Sequence, residues 1–453
     1  MDEMRVSGDE LTGQRVRIYP VTRIQGRADI EVLFDPHHQV QEARFRALDY
    51  RGIEKMTLGM SPLRVPAVLS AACGVCGPFH RLASCMAVES ACGAEVPPAA
   101  ASLRELLCWL LLASTHLATI TYCALPDFAL PMSDAAVKNV TGIYMVDQES
   151  VSRLSRAMAS IDEAIRILAG NRFRVPVVLP GGVSRLPAPS AVEAASALLA
   201  SCEDDLRETV RLAEMLTRRE SRMMETGTPL PGHYLCSVTD GLAALIGSGI
   251  SAAPFSGGEP VTMSPAEFLS AIEAEETDWS FLKPLRVDGL DCQMVGPLAR
   301  VNMGFGQDTP LAHLERGRLL EQWEHPLDSE FFFLMSLALE AVWGWEKATR
   351  LLQAASDGGP ECWTKLQPAA GTGHAVLDSP RGTLAHQVEL GAGGAVADYR
   401  VMSPLQFSYR TMNKHLTSVA ARSVSGIDIS EAATARLQLA VRSFNPCVPC
   451  GTH

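Results

Sequence analysis

The stretch RSFNPCVPCGTH at residues 442–453 contains a CxxC pair, Cys447 and Cys450, and a second such pair, CGVC, lies at Cys73 and Cys76. A CxxC spacing lets two thiolates reach one metal ion from a single turn, so two pairs can supply four sulfur ligands. Because the pairs lie near opposite ends of the chain, a shared metal site would fix the path of everything between them.

Three interpretations of the four cysteines are open on spacing alone: structural zinc, a thiolate-rich catalytic metal centre, and a redox or chance pairing. Zinc-ribbon pairs usually lie within a few tens of residues, because the metal there builds a small fold that lacks a core. This chain has 453 residues, 47% of them hydrophobic, and can bury a core without metal. The catalytic metal centre is therefore favoured. We expect the other cysteines, which stand singly in apolar surroundings, to be core residues: Cys85, Cys92, Cys108, Cys123, Cys202, Cys236, Cys292 and Cys362.

Charge and composition exclude several classes of partner. The formal net charge is -12 and no Lys/Arg-rich block is present, which argues against nucleic acid or an anionic membrane. The first residues are charged and lack the apolar region of a secretory signal. The most apolar stretch, 106–126, contains His116 and several hydroxyl side chains, so it predicts a buried core helix and no transmembrane segment.

Hydrophobic periodicity predicts a mainly α chain with α+β parts. Residues 15–48 alternate apolar and polar side chains and predict a small N-terminal antiparallel sheet. Long helical patterns over 190–220 and 329–356 predict a core bundle of long helices with peripheral α/β segments. We expect one large domain, composed of a β-rich part (about 13–60), a helical core (about 62–356), a mixed α/β part (about 357–409) and a C-terminal helix with a metal-binding tail (about 410–453).

Further motifs join the two cysteine pairs in a fixed order along the chain: PVTRIQG (20–26), DYRGIEK (49–55), CGVCGPFH (73–80), LPGG (179–182), VGPLARVN (295–302), SPRGTLAHQ (379–387) and NPCVPCGTH (445–453). This ordered set resembles the large, catalytic subunit of nickel-iron hydrogenases. The wording of DYRGIEK and VGPLARVN, and the pair Thr115 and His116, are most similar to the cytoplasmic branch that includes bidirectional, NAD-linked enzymes.

The resemblance implies a nickel-iron centre that cleaves and forms dihydrogen, with carbon monoxide and cyanide bound to the iron. Cys73 and Cys447 would be terminal nickel ligands, and Cys76 and Cys450 would bridge nickel and iron. His80 would hydrogen-bond a ligand sulfur.

Arg381 would place its guanidinium above the open metal position. Glu54 and His453 would hold a buried magnesium or iron ion, with an ion pair to Arg51 or Lys55 as the alternative for Glu54. We expect the remaining histidines, including His116, His386 and His415, to be polar or core residues.

Three positions depart from the family pattern. The glutamate of the TRIEG stretch, which relays protons in relatives, is Gln25, the aspartate of the DPC motif is Asn445, and an arginine two residues before CGxC is Ala71. An amide forms hydrogen bonds but does not carry a proton. The departures therefore predict altered or slow turnover.

The resemblance also implies a separate iron-sulfur small subunit that takes the electrons, with room for further electron-transfer subunits, and a cytoplasmic location. Two alternatives remain at this point: a hydrogen-sensing regulatory subunit with little turnover, and a structural relative that has lost the metal, against which the four intact cysteines argue. In relatives a C-terminal extension is commonly removed just after the histidine that corresponds to His453, which predicts a tail buried against the metal.

Overall fold

A computed structural model describes residues 5–9, 13–131, 133–221, 232–323, 327, 329–354 and 361–453. The first part begins with strands β1–β4: Arg5–Asp9, Gly13–Ile18, Ala28–Phe34 and Val40–Ala47. Helices α1–α6 follow: Val65–Leu69, Gly77–Ala91, Pro98–Thr119, Leu125–Ala129, Val140–Val146 and Gln148–Ala169. Single turns at Lys55–Thr57 and Ala135–Val137 are 3-10 helix, and Ile120–Ala124 is π-helix.

The middle part begins with a small hairpin, β5 (Val178–Leu179) and β6 (Gly182–Val183), and continues with helices α7 (Pro189–Ala200) and α8 (Glu203–Ser221). Strands β7–β13 are His233–Thr239, Leu242–Ala243, Gly249–Pro254, Val261–Met263, Ile272–Ala274, Leu285–Val287 and Gln293–Met294. Helix α9 (Pro265–Ser270) lies among these strands.

The last part begins with helices α10–α12: Pro297–Met303, Pro310–Gln322 and Phe332–Ala354. Strands β14–β16 are Gly371–Ser379, Gly382–Leu390 and Val396–Met402. Helices α13–α15 complete the chain: Pro404–Ser423, Glu431–Arg442 and Val448–Gly451.

The N-terminal sheet is antiparallel in the order β1-β2-β3-β4, as the alternating pattern predicts. Strand β4 buries alternate residues and packs against helix α13. Side chains of α13 also satisfy its free edge, because Asn413 Oδ1 accepts from the Phe45 N–H at 2.9 Å and Thr417 Oγ1 from the Ala43 N–H at 3.0 Å. The open edge of the sheet is thereby covered by the C-terminal part of the chain.

Helices α3 and α12 pack closely in the helical core. Trp109 and Trp343 meet edge to face with their ring centroids 4.6 Å apart, and a Cβ at Gly344 would lie 2.8 Å from the Trp109 carbonyl oxygen. Over Pro98–Ala129 the chain is long and apolar enough to cross a membrane, but 83% of its most apolar window is buried inside the protein. This burial is the behaviour expected of the core helix that the sequence predicts.

Two parts of the secondary-structure prediction are wrong. The single helix predicted over 190–220 is two helices, separated at Ser201 and Cys202, because Glu203, Asp204 and Asp205 form the acidic first turn of a new helix. The helical core predicted over 62–356 also contains strands β7–β13. These strands are short and interrupted by glycine turns, so their periodicity is weak.

A three-stranded antiparallel sheet, β14-β15-β16, forms the mixed part. Helix α2 lies across this sheet, and the close approach requires glycine at Gly373, where a Cβ would meet the backbone of Ala87 and Ala91. Because α2 starts directly after Cys76 and the turn between β14 and β15 carries Arg381, this contact brings the first cysteine pair and the arginine together.

Candidate metal centre

The two cysteine pairs meet in one buried cluster. Cys73 and Cys76 precede helix α2, and Cys447 and Cys450 lie at the start and within α15. The four sulfurs all lie within 4.8 Å of one another, with Cys73 and Cys447 3.4 Å apart and Cys447 and Cys450 2.6 Å apart. All four thiols are free and buried. This donor set fits a soft metal that prefers thiolate ligands.

Two N-terminal motifs hold the C-terminal tail in place. Gln25 N–H donates to the Pro446 carbonyl at 3.4 Å and the Val448 N–H to the Gln25 carbonyl at 2.9 Å, which places Gln25 directly beside Cys447. Arg51 N–H donates to the Thr452 carbonyl at 2.7 Å. At Gly26 the φ angle is +94°, and a Cβ would lie 2.8 Å from side-chain atoms of Val448 and Pro449. The PVTRIQG and DYRGIEK motifs therefore have a structural reason as well as a chemical one.

Arg381 lies against the cysteine cluster. Its Nη1 donates to the Cys76 sulfur at 3.0 Å, and the side chain is buried. Burial lowers the pKa of Arg381, but the neighbouring sulfurs of Cys76 and Cys447 outweigh burial and raise it above its ordinary value. The cluster is thus paired with a permanent cation.

The cluster itself favours a bound cation. Hydrogen bonds from the Cys447, Cys450 and Cys76 thiols, with the charge of Arg381, lower the pKa of the Cys73 thiol far below its usual range. Burial raises the pKa of the Cys447 and Cys450 thiols instead. One thiolate forms easily and further ones are opposed, so holding four thiolates requires the charge of a metal.

Two buried donors beside the cluster have no hydrogen-bond partner in the described structure: Arg381 Nε and Asn445 Nδ2. Buried donors are rarely left unpaired unless a ligand or water occupies the space. These donors, together with the sulfur set, fit a metal centre that carries its own polar or anionic ligands.

Gln25 and Asn445 are placed on either side of Cys447 along the tail. Gln25 is half-buried and Asn445 buried. Asn445 has a φ of 46°, a left-handed conformation that Asn and Asp tolerate better than other side-chain-bearing residues. The backbone therefore accounts for an Asx residue at 445, and it leaves the choice between amide and acid to the chemistry.

His80 lies on α2 one turn after Cys76 and is buried, with its Nδ1 3.0 Å from His386 Nε2. Burial lowers the pKa of His80 to about 4, against an opposing effect of the Cys73 charge. Ala71, where relatives have an arginine, is exposed at the same loop.

Glu54 and His453 come together at a separate point. Glu54 Oε1 accepts from the Val401 N–H at 2.7 Å, His453 Nε2 donates to the Val401 carbonyl at 2.9 Å, and the two side chains are 3.7 Å apart. Among the described residues, no ion pair joins Glu54 to Arg51 or Lys55. One carboxylate, one imidazole and a backbone carbonyl thus face one another, a mixed donor set that suits a divalent cation.

The sequence analysis missed a buried network behind Arg381. Arg300 is fully buried and donates to both oxygens of Glu340 at 2.6 and 2.7 Å and to Asp378 at 2.8 Å. It also donates to the carbonyls of Ser379 and Pro380 at 3.0 and 3.3 Å, in the turn that carries Arg381. Arg300 belongs to the VGPLARVN motif, which was the available signal.

The partners of His80 were also missed. His386, expected to be a polar or core residue, bonds His80 and also Tyr399, whose hydroxyl lies 2.8 Å from His386 Nδ1. His386 stands in the SPRGTLAHQ motif, five residues after Arg381, so the motif contained the signal. Tyr399 lies outside every motif.

Comparison with known proteins agrees with this site. Residues 51–127 match the family model described as nickel-dependent hydrogenase, and residues 15–50 match one described as HoxL-like. The vhu F420-non-reducing hydrogenase of Methanococcus voltae contains a polypeptide that is 27% identical, over 90% of this chain and 98% of that polypeptide. The beta subunit of the NAD-reducing hydrogenase HoxS of Cupriavidus necator is 23% identical, over 97% of this chain and 95% of that protein.

A solved structure of a NAD+-reducing [NiFe]-hydrogenase in the H2-reduced state has a similar fold, with a TM-score of 0.88 at 25% identity, covering 97% of this chain and 99% of that one. The order of motifs, the converging cysteines and these relatives lead to one assignment. The chain belongs to the family of nickel-dependent hydrogenase large subunits and is an oxidoreductase.

Proposed function

We propose that this chain is the catalytic subunit that cleaves and forms dihydrogen at a nickel-iron centre bound by Cys73, Cys76, Cys447 and Cys450. The observation that carries the proposal is the buried convergence of four sulfurs from opposite ends of the chain beside Arg381. Cys73 and Cys447 would be terminal nickel ligands, and Cys76 and Cys450 would bridge nickel to an iron with carbon monoxide and cyanide ligands. The centre, when bound, supplies the redox chemistry of heterolytic dihydrogen cleavage.

The protein's own residues provide charge and a route for the proton. Arg381 holds a fixed positive charge against the sulfurs, which costs no reorganisation during the reaction. A cysteine sulfur of the cluster accepts the proton released by cleavage. At the next positions, Gln25 and Asn445 offer amides, which orient water by hydrogen bonding but do not take up the proton.

Glu54, His453 and the Val401 carbonyl would bind Mg2+ or iron and secure the C-terminal tail. The electrons would pass to an iron-sulfur small subunit, with further electron-transfer subunits in the complex. The relatives named above include a NAD-reducing hydrogenase, which supports a cytoplasmic location and an assembly of several subunits.

A second candidate function is hydrogen sensing with little turnover. The observation that favours it is the pair of amides, Gln25 and Asn445, at positions next to Cys447 where relatives carry acids. Hydrogen-driven reduction of a redox dye by the purified complex separates the two functions. We expect sustained turnover, and a complex that binds nickel but reduces the dye for only a few cycles would contradict the catalytic role.

A further inference from the structure

Three buried side chains form a hydrogen-bonded row that ends beside the cysteine cluster. His80 is 1% exposed, His386 0% and Tyr399 2%. His80 Nδ1 lies 3.0 Å from His386 Nε2, and His386 Nδ1 lies 2.8 Å from the Tyr399 hydroxyl. The row joins α2 to β15 and β16 and uses one nitrogen of His80, so only Nε2 of His80 remains for the cluster.

The sheet register explains why the row forms. His386 on β15 is paired with Val401 on β16, so Tyr399, two residues before Val401, is its diagonal neighbour on the same face. Helix α2 covers that face and carries His80, whose backbone N–H bonds the Cys76 carbonyl at 3.1 Å. The geometry of the row is thus fixed by backbone pairing.

The direction of the hydrogen bonds follows from the phenol. A buried phenol must donate its proton or pay for an unmade hydrogen bond. The hydrogen bond that the described structure gives Tyr399 is to His386 Nδ1, and the Ser84 hydroxyl beside it makes none. Tyr399 therefore donates, and His386 Nδ1 accepts.

Both imidazoles are neutral. Burial lowers the pKa of His80 to about 4 and that of His386 well below its ordinary value. A neutral His386 that accepts at Nδ1 carries its proton on Nε2 and donates it to His80 Nδ1. A neutral His80 that accepts at Nδ1 carries its own proton on Nε2.

We propose that Tyr399 and His386 are positioning residues that hold His80 in its Nε2–H tautomer, so that His80 presents a donor and not a lone pair to the cysteine cluster. The nearness of the cluster is evident from the effect of the Cys73 charge on His80. A donor stabilises negative charge on a ligand sulfur, whereas a lone pair opposes it. This consequence for the metal rests on the proposed function, but the tautomer does not.

The tautomer is measured by 15N NMR of the full chain without metal, with labelled histidine, since protonated and bare ring nitrogens have well-separated shifts. The signals are assigned by their loss in His80→Gln and His386→Gln. We expect the Nε2–H form of both residues. In Tyr399→Phe we expect shifts averaged between the two tautomers, because His386 Nδ1 loses its donor. Tyr409→Phe is the matched control, since Tyr409 is equally buried and donates to the Phe45 carbonyl.

Two results would overturn the proposal. An Nδ1–H form of His80 in the natural chain would reverse the direction of the row. A pure Nε2–H signal of His80 in Tyr399→Phe would mean that the cysteine cluster alone sets the tautomer.

The metal-loaded complex gives a second readout. Loss of the sulfur donor increases electron density on the iron, so the infrared band of its carbon monoxide should move to lower wavenumber in Tyr399→Phe and stay in place in Tyr409→Phe. An unmoved band in Tyr399→Phe would contradict the link to the metal. A natural chain with no such band at all would refute the proposed function and leave the NMR result standing.

Discussion

At the scale of single residues, the motifs located the cysteines, Arg381, His80, Gln25 and Asn445, because chemistry that needs a particular side chain leaves a particular letter in the sequence. The structure brings all of these to one place. His386, Tyr399 and Arg300 were not predicted, since their importance lies in which atom they contact. A buried histidine in a satisfied core and a buried histidine in a tautomer-setting row have the same letter.

Gln25 is the residue whose identity should matter most for proton transfer. Its backbone is bonded to both sides of Cys447, and the side chain is half-buried, within reach of water. We expect Gln25→Glu to raise the rate of dihydrogen/deuterium exchange by up to about 10²-fold, because a positioned carboxylate can accept and release the proton.

The matched control for this exchange measurement is Gln39→Glu, an exposed glutamine in the turn before β4, which should leave the rate unchanged. Equal exchange rates in Gln25→Glu and the natural protein would show that proton transfer at residue 25 is not limiting.

At the scale of helices and strands, the sequence predicts elements that bury one clear face and fails where burial is two-sided or interrupted. Strands β2–β4 and helix α12 agree with their periodicity. The segment from His233 to Met294 does not, because its strands have two to seven residues each and take their partners from distant parts of the chain. Strand β13, for example, pairs in parallel with β7, which no local pattern encodes.

The turn between β14 and β15 depends on Arg300 from another element. Arg300 binds Glu340 on α12, Asp378 on β14 and two carbonyls of the turn itself. Arg300→Lys keeps the charge but loses the fork that contacts these groups together. We expect it to lower the free energy of unfolding by about 3 kcal/mol or more, since it leaves buried charge partly unpaired.

Chemical denaturation of the chain without metal measures this loss. Arg318→Lys, in an exposed pair with Glu315, is the control and should change the free energy of unfolding by less than about 0.5 kcal/mol. A similar effect of both substitutions would mean that the Arg300 network is not an anchor of the turn.

At the scale of the whole molecule, the structure explains why the first and last parts of the chain carry matching motifs. The stretch with Gln25 pairs with the tail, the stretch with Arg51 bonds Thr452, and α13 covers the N-terminal sheet. The two cysteine pairs permit such a closure but do not specify it, because their spacing is equally compatible with zinc. Only the full order of motifs predicted the arrangement.

Several buried histidines make the stability of the whole chain depend on pH. Burial lowers the pKa of His116, His386 and His415 below the ordinary 6.5. Their contribution is fully present above the unfolded pKa of about 6.5 and is lost as the pH falls below it, because the unfolded chain then binds protons that the folded chain does not. Each histidine that stays neutral costs about 1.4 kcal/mol per pH unit.

Urea unfolding of the metal-free chain at pH 7.5 and 5.5 tests this dependence, with a lower midpoint expected at pH 5.5. His415→Gln isolates one histidine and should reduce the difference between the two midpoints. An unchanged difference in that variant would contradict a depressed pKa at His415.

The most direct test of the central claim is the nickel content of the purified complex together with its infrared spectrum. We predict nickel bound to this chain and bands of carbon monoxide and cyanide in the natural protein. Both should be lost in Cys450→Ala and retained in Cys108→Ala, which removes an equally buried cysteine from helix α3. Zinc in place of nickel, no such bands, or the same nickel content in both variants would contradict a nickel-iron centre at the four cysteines.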